Sequence, residues 1–316
     1  MKQFVSVNDV ENIDELVKLA QSIKAKPFDY KRFGENKTIG LFFFNPSLRT
    51  RLSTQKAAQN LGMNVMVVNL NNDGWVIELE DGAIMNQGSQ EHIKEAAVVI
   101  SQYCDIIGIR TFPALQNRKE DYSEKILKQF LKYCTVPVIS LESATLHPLQ
   151  SLADVLTIEE NKKTAKPKVV LSWAPHPKAL PQAVSNSFLQ WLKKTDCELS
   201  ITNPEGFDLA EEFTEGLTIH HKQEDALKDA DFVYVKNWSS YQDYGKIGTG
   251  FDDWTITQEK LKNTNNAKVM HCLPVRRNVV IADDVLDSDS SLTTEQANNR
   301  TFAAQSVLLK ILQNEA

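Results

Sequence analysis

An apolar run that stops at a proline constrains the fold of this 316-residue chain more than any other feature. Residues 37–44, KTIGLFFF, predict a short buried strand. Pro46 can neither continue a strand ladder nor lie inside a helix, so the chain must turn there. Ser47 is a favourable N-cap, and small or apolar residues keep an approximate helical period behind it until Gly62. The segment therefore predicts a strand, a turn and a helix in immediate succession.

The start of this predicted helix has the groups that bind an anion. Its first-turn amides and its dipole favour negative charge, and the hydroxyls of Ser47 and Thr50 and the guanidinium of Arg49 can add hydrogen bonds. An ordinary capped helix that exposes Arg49 and Arg51 to solvent explains this stretch equally well. The choice between these interpretations depends on the rest of the chain.

Apolar runs and amphipathic segments alternate along the whole sequence, which predicts an α/β protein with parallel sheets. Further strands are predicted at residues 64–70, 104–110, 136–141, 168–173, 198–202, 232–235 and 267–270. Helices are predicted at residues 7–23, 91–103, 123–133, 151–163, 182–194, 224–230 and 296–312. The pattern restarts after a hinge at Lys166-Pro167, so we expect two doubly wound parallel-sheet domains joined by interdomain helices. The expected bounds are 1–150, completed by a C-terminal helix at 294–316, and 151–293.

Composition excludes several classes of protein. The net charge of −6 has mixed signs and no basic stripe, which argues against nucleic acid as a partner. No run reaches membrane-spanning length, and the acidic, polar N-terminus is unlike a signal peptide, so we expect a cytoplasmic protein that does not bind membranes. The 4 cysteines are far apart and lack C-x-x-C spacing, which indicates reduced thiols rather than disulfides or a zinc site.

Polar side chains follow several predicted strands, where open α/β sheets place their ligands. Arg110 ends one strand, and Glu142, His147 and Gln150 follow the next. Taken alone, Arg110 could pair with a helix carboxylate at the rim, and His147 could be a satisfied histidine in a capping loop. Three polar strand ends in succession favour a site.

The residue types at these strand ends predict the chemistry. Arg49, Arg110 and Arg300 suit a doubly charged phosphate, whereas Thr50, His147 and Gln150 suit a small planar amide or carbonyl. The sequence has no dinucleotide or Walker-type glycine loop, no metal-spaced ligand set and no nucleophile elbow. We therefore expect no cofactor and no metal, and predict direct displacement by an amine on an acyl phosphate.

Three motifs carry a family resemblance across nearly the whole chain. The segments Ser47-Leu48-Arg49-Thr50, His147-Pro148-Leu149-Gln150 and His271-Cys272-Leu273-Pro274, with Asn299-Arg300 in the last helix, resemble signatures of the aspartate/ornithine carbamoyltransferase family. The resemblance implies a carbamoyl-phosphate domain closed by the final helix, an amino-acid domain, and a homotrimer whose subunits share active sites.

The resemblance also implies residue roles. Phosphate would be held by Ser47, Leu48, Arg49, Thr50, Arg110 and Arg300. The carbamoyl group would be held by Thr50, Arg110, His147 and Gln150. The nucleophilic amine would meet Cys272 and the carbonyl of Leu273.

Departures from the motifs indicate the branch of the family. Residues 237–253 lack the Asp-x-x-x-Ser-Met-Gly segment of ornithine enzymes, and Cys272 and Val275 stand where aspartate enzymes typically have proline and arginine. The chain is most similar to the N-acylornithine branch, in which Trp75 would reach the phosphate site of a neighbouring subunit. That similarity implies an acylornithine site formed by Glu142, His176, Lys236, Cys272, Leu273 and Arg276.

The acyl group is predicted from two positions. In this branch an acidic residue in the loop before the Glu91-His92 helix, and a lysine a few residues after H-C-L-P, accompany the acetyl substrate. Here Gln90 and Val280 align with them, and a neutral Gln90 would not repel a succinyl carboxylate. We therefore predict carbamoyl transfer to N-succinylornithine in arginine biosynthesis. N-acetylornithine and ornithine remain alternative substrates, and a non-catalytic carbamoyl-phosphate-binding relative remains an alternative of another class.

Overall fold

Runs of valine, isoleucine, leucine and phenylalanine form all-parallel sheets in the structure, a computed structural model that describes residues 1–315. The strands are β1 (Gln3–Phe4), β2 (Thr38–Phe43), β3 (Asn64–Asn69), β4 (Ile77–Glu78), β5 (Glu91–His92), β6 (Ile106–Arg110), β7 (Val138–Glu142), β8 (Lys168–Trp173), β9 (Glu198–Thr202), β10 (Thr218–His220), β11 (Phe232–Lys236) and β12 (Lys268–Met270). Such runs are typical of parallel sheets, whose two faces are both covered.

The α-helices are α1 (Ile13–Ala25), α2 (Arg49–Asn60), α3 (Leu70–Asp73), α4 (Ile93–Tyr103), α5 (Arg118–Asp121), α6 (Lys125–Tyr133), α7 (Pro148–Asn161), α8 (Ala183–Leu192), α9 (Glu211–Thr214), α10 (Gln223–Leu227), α11 (Gln258–Leu261), α12 (Asp283–Leu286) and α13 (Thr293–Glu315). Short 3₁₀ turns lie at Val7–Asp9, Lys31–Gly34 and Asp252–Trp254.

The chain divides into two units. Unit 1 comprises Met1–Pro113, Lys119–Leu149 and the chain from Arg300, and unit 2 comprises Ala114–Arg118 and Gln150–Asn299. Each unit has its own five-stranded parallel sheet. The predicted α/β class with two parallel-sheet domains is confirmed.

The sheet of unit 1 has the strand order β1-β7-β6-β2-β3, so β6 lies between β2 and β7. Arg110 pairs in register with Phe43 on one side and with Glu142 on the other. A bulge between Ile109 and Arg110 shifts the β6–β7 register, so that Arg110 lies opposite Glu142 instead of Leu141. Bulges re-aim side chains. This one brings an arginine and a glutamate together at the carboxyl ends of neighbouring strands.

The core of unit 1 lies between this sheet and helices α4 and α6. Phe42, Ile107 and Ile109 of the sheet pack in one buried cluster with Ile93 of α4 and Phe130 of α6. Val138 of β7 belongs to the same cluster. These contacts therefore pack β2, β6 and β7 together against the two helices.

The sheet of unit 2 has the order β10-β9-β8-β11-β12, with all neighbours parallel. Val170, Val233 and Val269, from the three strands β8, β11 and β12, form a buried cluster with Ile256 and Ile281. The ends of these strands lead into the segments that carry His176, Lys236 and the H-C-L-P motif.

Several predicted element boundaries were wrong, among them those at residues 7, 47 and 151. Residues 7–23 form a 3₁₀ turn capped by Ser6 and then a separate helix capped by Asn12. Helix α7 begins at Pro148, where proline is favourable as the first helical residue, and not at 151. Ser47 does not cap α2, because Leu48 occupies the cap position and no side chain caps the helix.

Two kinds of feature are absent from residues 1–315. No helix there is both long enough and apolar enough to cross a bilayer. Within the same residues, no three acidic, histidine or cysteine side chains are grouped as metal ligands would be.

Gly40 of β2 tests the packing that holds these strand ends. A Cβ at this position would lie 2.6 Å from Cys104 Sγ and 2.6 Å from Phe42 Cε2, and both of those side chains are buried. We expect Gly40→Ala to lower the free energy of unfolding by about 1–3 kcal/mol through overpacking. Gly88→Ala is the matched control, because nothing lies within 4 Å of its added Cβ. Equal denaturant midpoints for the two variants would contradict this account of the core.

Candidate active site

A buried ion pair lies at the bulge of unit 1. Arg110 Nε and Nη2 donate to the same Glu142 oxygen, Oε2, at 3.0 and 2.7 Å. Both residues are 7% exposed. Two charge-assisted bonds at this burial fix the plane of the guanidinium. The pairing of Arg110 is thus with a strand carboxylate, not with a helix carboxylate at the rim.

The other end of the Arg110 guanidinium holds the turn before α2. Nη1 donates to the carbonyls of Asn45 and Pro46, at 3.0 and 3.1 Å. These bonds tie the turn to β6. Helix α2 then starts at Arg49 with no side-chain cap, and the first-turn amides and dipole of such a helix start favour an anion.

His147 belongs to the same group of side chains. It is 3% exposed, and its Nε2 lies 3.8 Å from Glu142 Oε2, too far for a hydrogen bond but close enough for an electrostatic interaction. Arg110, Glu142 and His147, predicted separately from two strand ends, are therefore brought together within unit 1.

A residue that the sequence analysis missed holds the loop between Glu142 and His147. The Glu124 carboxylate accepts from Ser143 Oγ at 2.7 Å, from Thr145 N at 2.7 Å and from Thr145 Oγ1 at 2.5 Å. Glu124 itself has φ +54° and precedes α6. In the sequence it is one acidic residue in a charged stretch, so only the tertiary contact reveals its role.

The predicted phosphate-binding residues of α2 meet the C-terminal helix within unit 1. Arg300 Nη2 donates to Thr50 Oγ1 at 2.6 Å, and these residues are 5% and 3% exposed. Asn60 Nδ2 also donates to Gln305 Oε1 at 3.0 Å, so α2 and α13 are joined at both ends of α2. Ser47 and Arg49 are half-buried, and Leu48 is exposed.

Trp75 and Gln90 lie on a separate segment of unit 1. Trp75 is 53% exposed and its Nε1 donates to Glu91 Oε2 at 2.8 Å, while the Gln90 amide donates to the Val76 carbonyl at 3.0 Å. Both hydrogen bonds join residues within 75–91, and neither of them involves Arg110, Glu142 or His147. The structure thus presents Trp75 on the surface of the unit.

In unit 2 the H-C-L-P motif follows β12 and forms a tight turn. The His271 amide donates to Gln296 Oε1 at 2.9 Å, and the Leu273 amide donates to His271 Nδ1 at 2.8 Å. Leu273 has φ +55°, a strained conformation for a residue with a side chain, and is joined to Pro274 by a cis peptide. Cys272, which lies between His271 and Leu273 in the chain, is buried. A strained turn of this kind is held by its surroundings, as is common at binding sites.

His176 and Arg276 contact each other in unit 2. Arg276 Nε donates to His176 Nε2 at 3.1 Å, so Nε2 is unprotonated in this contact, while Nδ1 lies 3.0 Å from the carbonyl and 3.1 Å from the amide of Lys178. Burial, followed by the positive charges of Lys236, Arg276 and Lys178, lowers the pKa of His176 below 6.5. The imidazole is therefore neutral at pH 7.

Lys236 and Gln150 are the remaining predicted residues of unit 2. Lys236, at the end of β11, is 7% exposed, and its Nζ donates to the Asn237 carbonyl at 3.0 Å. Gln150 is fully buried in α7 and its Nε2 donates to Asp154 Oδ1 at 2.7 Å. Unit 2 thus offers two cations and a neutral imidazole, a set that suits carboxylates, whereas the group in unit 1 suits a phosphate and a carbonyl.

Two family models match the chain. Residues 2–160 match the carbamoyl-phosphate-binding domain of aspartate/ornithine carbamoyltransferases, and residues 181–311 match their aspartate/ornithine-binding domain. The chain is 49% identical over 315 residues to the N-succinylornithine carbamoyltransferase of Bacteroides thetaiotaomicron, with 99% of each chain covered.

Solved structures agree with the family models. The structure of acetylornithine transcarbamylase complexed with acetylcitrulline has a TM-score of 0.93 at 32% identity, covering 98% of this chain and 99% of the other. A glutamate-to-alanine variant of N-acetyl-L-ornithine transcarbamylase, complexed with carbamyl phosphate and N-succinyl-L-norvaline, has a TM-score of 0.92 at 31% identity and covers 98% and 100% of the two chains. The resemblance predicted from the three motifs is confirmed: the chain belongs to the aspartate/ornithine carbamoyltransferase family and is a carbamoyltransferase.

Proposed function

We propose that this chain transfers the carbamoyl group of carbamoyl phosphate to the δ-amine of an N-acylornithine, with N-succinylornithine as the favoured substrate, and releases N-acylcitrulline and phosphate. The contacts of Arg110 carry the proposal, because its buried guanidinium pairs with Glu142, which lies 3.8 Å from the His147 imidazole, and also holds the turn that leads into α2. The reaction belongs to arginine biosynthesis.

The residues of unit 1 and the following Gln150 take the role of binding carbamoyl phosphate. Ser47, Leu48, Arg49, Arg110 and Arg300 hold the phosphate. Thr50, Arg110, His147 and Gln150 hold the carbamoyl group. Residues 1–150, completed by the C-terminal helix from 294, are then the carbamoyl-phosphate domain, and residues 151–293 are the acylornithine domain.

The chemical step is a direct displacement. The deprotonated δ-amine attacks the carbamoyl carbon, a C–N bond forms, and the carbonyl oxygen takes up negative charge that Thr50, Arg110 and His147 stabilise with preorganised donors. The C–O bond to phosphate then breaks, the phosphate keeps the electron pair, and a phosphate oxygen takes the proton that the nitrogen loses. Arg49 and Arg300 balance the charge of the leaving phosphate.

Glu142, His176, Lys236, Cys272, Leu273 and Arg276 form the proposed acylornithine site. N-succinylornithine carries two carboxylates where N-acetylornithine carries one, and Lys236 and Arg276 offer two cations beside an imidazole that stays neutral. This charge balance supports the succinyl substrate. The 49% identity to an N-succinylornithine carbamoyltransferase also supports the succinyl substrate.

Gln90 is the proposed acyl-specificity residue. It is neutral and exposed on the segment that also carries Trp75. Val280, which aligns with the lysine that accompanies the acetyl substrate, is 2% exposed in the apolar cluster of unit 2 and offers no charge. A glutamate-to-alanine variant of an N-acetylornithine enzyme was solved with N-succinyl-L-norvaline. That structure supports the proposal that a neutral residue at position 90 goes with a succinyl group.

We further propose a homotrimer in which the exposed Trp75 enters the phosphate site of a neighbouring subunit. A single species of 35.7 kDa in sedimentation equilibrium would overturn this assembly. The cytoplasmic location stays a prediction.

A colorimetric assay of ureido products tests the function itself. Carbamoyl phosphate is supplied with ornithine, N-acetylornithine or N-succinylornithine, and the fastest turnover is expected with N-succinylornithine. Faster turnover with either other amine would move the assignment to that substrate. No turnover with any of the three would favour a non-catalytic carbamoyl-phosphate-binding relative.

Arg49 and Arg51 provide a matched pair of variants. Both arginines are half-buried in the first turn of α2, but only Arg49 is assigned to the phosphate. We expect Arg49→Ala to lower kcat/KM by about 100-fold or more, since a preorganised charge on the developing phosphate is lost. Arg51→Ala is expected to stay within about threefold of the native protein. Steady-state kinetics that show equal losses would refute the anion-site assignment.

The acyl preference is tested at Gln90. We expect Gln90→Glu to lower kcat/KM for N-succinylornithine by about tenfold or more, because two negative charges are brought together, and to leave N-acetylornithine almost unaffected. Gln87→Glu adds the same charge nearby on this exposed segment and should leave the ratio of the two substrates unchanged. A shift of that ratio in both variants would show a general charge effect instead of a specific contact.

The pKa of His176 gives a pH prediction. Because burial and nearby cations lower it below the ordinary 6.5, folding favours the neutral ring. The associated stability is present above pH 6.5 and is lost as the pH falls from 6.5 through the lowered folded pKa. NMR titration, assigned with His176→Gln, should place the midpoint below 6.5. A midpoint above 6.5 would contradict the contact between Arg276 Nε and an unprotonated Nε2.

A further inference from the structure

Glu124 stands at a position of unit 1 where a glutamate costs stability in two ways. Its backbone lies in the left-handed region, at φ +54° and ψ +34°, which glycine and asparagine adopt far more readily than a longer side chain does. It also occupies the cap position of α6 without a side-chain hydrogen bond to that helix. A residue that suits neither its local backbone nor its helix points to a contact elsewhere in the fold.

That contact is with the loop of residues 143–146. Glu124 Oε1 accepts from Ser143 Oγ at 2.7 Å, from Thr145 N at 2.7 Å and from Thr145 Oγ1 at 2.5 Å, and Oε2 accepts from Ala144 N at 3.3 Å. Ser143, Ala144 and Thr145 are all buried. Because buried donors are costly to leave unsatisfied, this one carboxylate determines the path of three consecutive residues.

Ser143 passes the constraint on to the end of the loop. Its Oγ lies 2.7 Å from Glu124 Oε1 and 3.3 Å from the Leu146 carbonyl, so its single proton goes to the shorter contact. The hydroxyl oxygen then accepts from the Leu146 amide at 3.1 Å, and the Ser143 amide donates to the Leu146 carbonyl at 2.8 Å. The loop is closed at Leu146, and His147 is the next residue.

The two ends of this loop carry residues of the site. Glu142, which pairs with Arg110, precedes the loop, and His147 follows it. The His147 Nε2 and Glu142 Oε2 atoms lie 3.8 Å apart. The closed loop therefore sets the place of the imidazole relative to the Arg110 pair. A preorganised donor loses its effect when it is displaced from the point where charge develops.

We propose that Glu124 is a positioning residue of the carbamoyl transfer, which fixes the loop of residues 143–146 and thereby the place of the His147 imidazole beside Glu142. The inference rests on the proposed function, which assigns His147 to the carbamoyl group. Glu124 acts through the loop and touches no substrate.

Glu124→Gly is the first test, because glycine suits the left-handed backbone and removes only the carboxylate. We expect kcat in the ureido assay to fall by about 10- to 100-fold, as for a displaced donor. The dissociation constant of inorganic phosphate, measured by calorimetry, should stay within about threefold, since the phosphate is assigned to other residues. Glu35→Gly removes an exposed glutamate of the same unit and should leave kcat unchanged. A kcat within threefold of native in Glu124→Gly would overturn the proposal.

Glu124→Gln tests whether hydrogen bonds carry the effect. An amide oxygen in place of Oε1 can still accept from Ser143 and Thr145, so this variant should keep kcat within about fivefold of native. A loss as large as that of Glu124→Gly would show that acceptance by this oxygen is not what holds the loop, and would overturn the proposal.

A double-mutant cycle with His147→Ala tests whether Glu124 acts through the imidazole. In that background Glu124→Gly is expected to lower kcat by no more than about threefold, because the group that the loop positions is gone. Equal losses in the two backgrounds would overturn the proposal. Thr145→Val deletes one of the four bonds and should lower kcat by about fivefold in the native background only. If Glu124→Gly does not fold, a native kcat in Thr145→Val overturns the proposal instead.

NMR of the His147 ring separates this inference from the proposed function, since it needs no turnover. The ring signals, assigned with His147→Ala, are expected to shift in Glu124→Gly and to stay in place in Glu35→Gly. Unmoved signals in Glu124→Gly would overturn the inference whatever the activity. If the native chain turns over none of the three amines while the signals shift as expected, the proposed function fails and the placement of the imidazole by Glu124 stands.

Discussion

The buried pair of Arg110 and Glu142 is the interaction on which the site in unit 1 depends. Removing a guanidinium and a carboxylate from water is costly, and a buried ion pair seldom adds net stability. The gain here is geometry: one Glu142 oxygen takes two guanidinium bonds, while the other end of Arg110 holds the turn before α2. The bulge at Ile109 makes the pairing possible, because it places Glu142 opposite Arg110.

Unit 2 contains a second arrangement of the same kind. There, one oxygen of the buried Asp154 accepts from Gln150 and Gln296, as one oxygen of Glu142 accepts twice from Arg110. In each unit a buried carboxyl group accepts hydrogen bonds from a side chain that is proposed to bind substrate. Because breaking the pair of Arg110 and Glu142 would leave a buried charge uncompensated, the guanidinium is held firmly. Preorganisation of this kind lets donors and acceptors act on a transition state without moving first.

Sequence reasoning succeeded where a local pattern is sufficient. The strands of 168–173 and 198–202 were predicted with their observed bounds, since a run buried on both faces differs plainly from its surroundings. It failed at Ser47, which has a suitable side chain for an N-cap but lies one residue before the cap position. The turn is held by Arg110, a residue distant in the chain, and no local pattern records that contact.

The sequence alone determined the α/β class, the two parallel-sheet units and the family, because hydrophobic period and short motifs are written in neighbouring residues. It also indicated that the strand ends carry the polar groups. Only the tertiary structure decided how those groups are held: that Glu142 faces Arg110, that Glu124 holds the loop before His147, and that Asp154 accepts a hydrogen bond from Gln150. These contacts depend on register, a bulge and helix packing, which join residues that the sequence keeps apart.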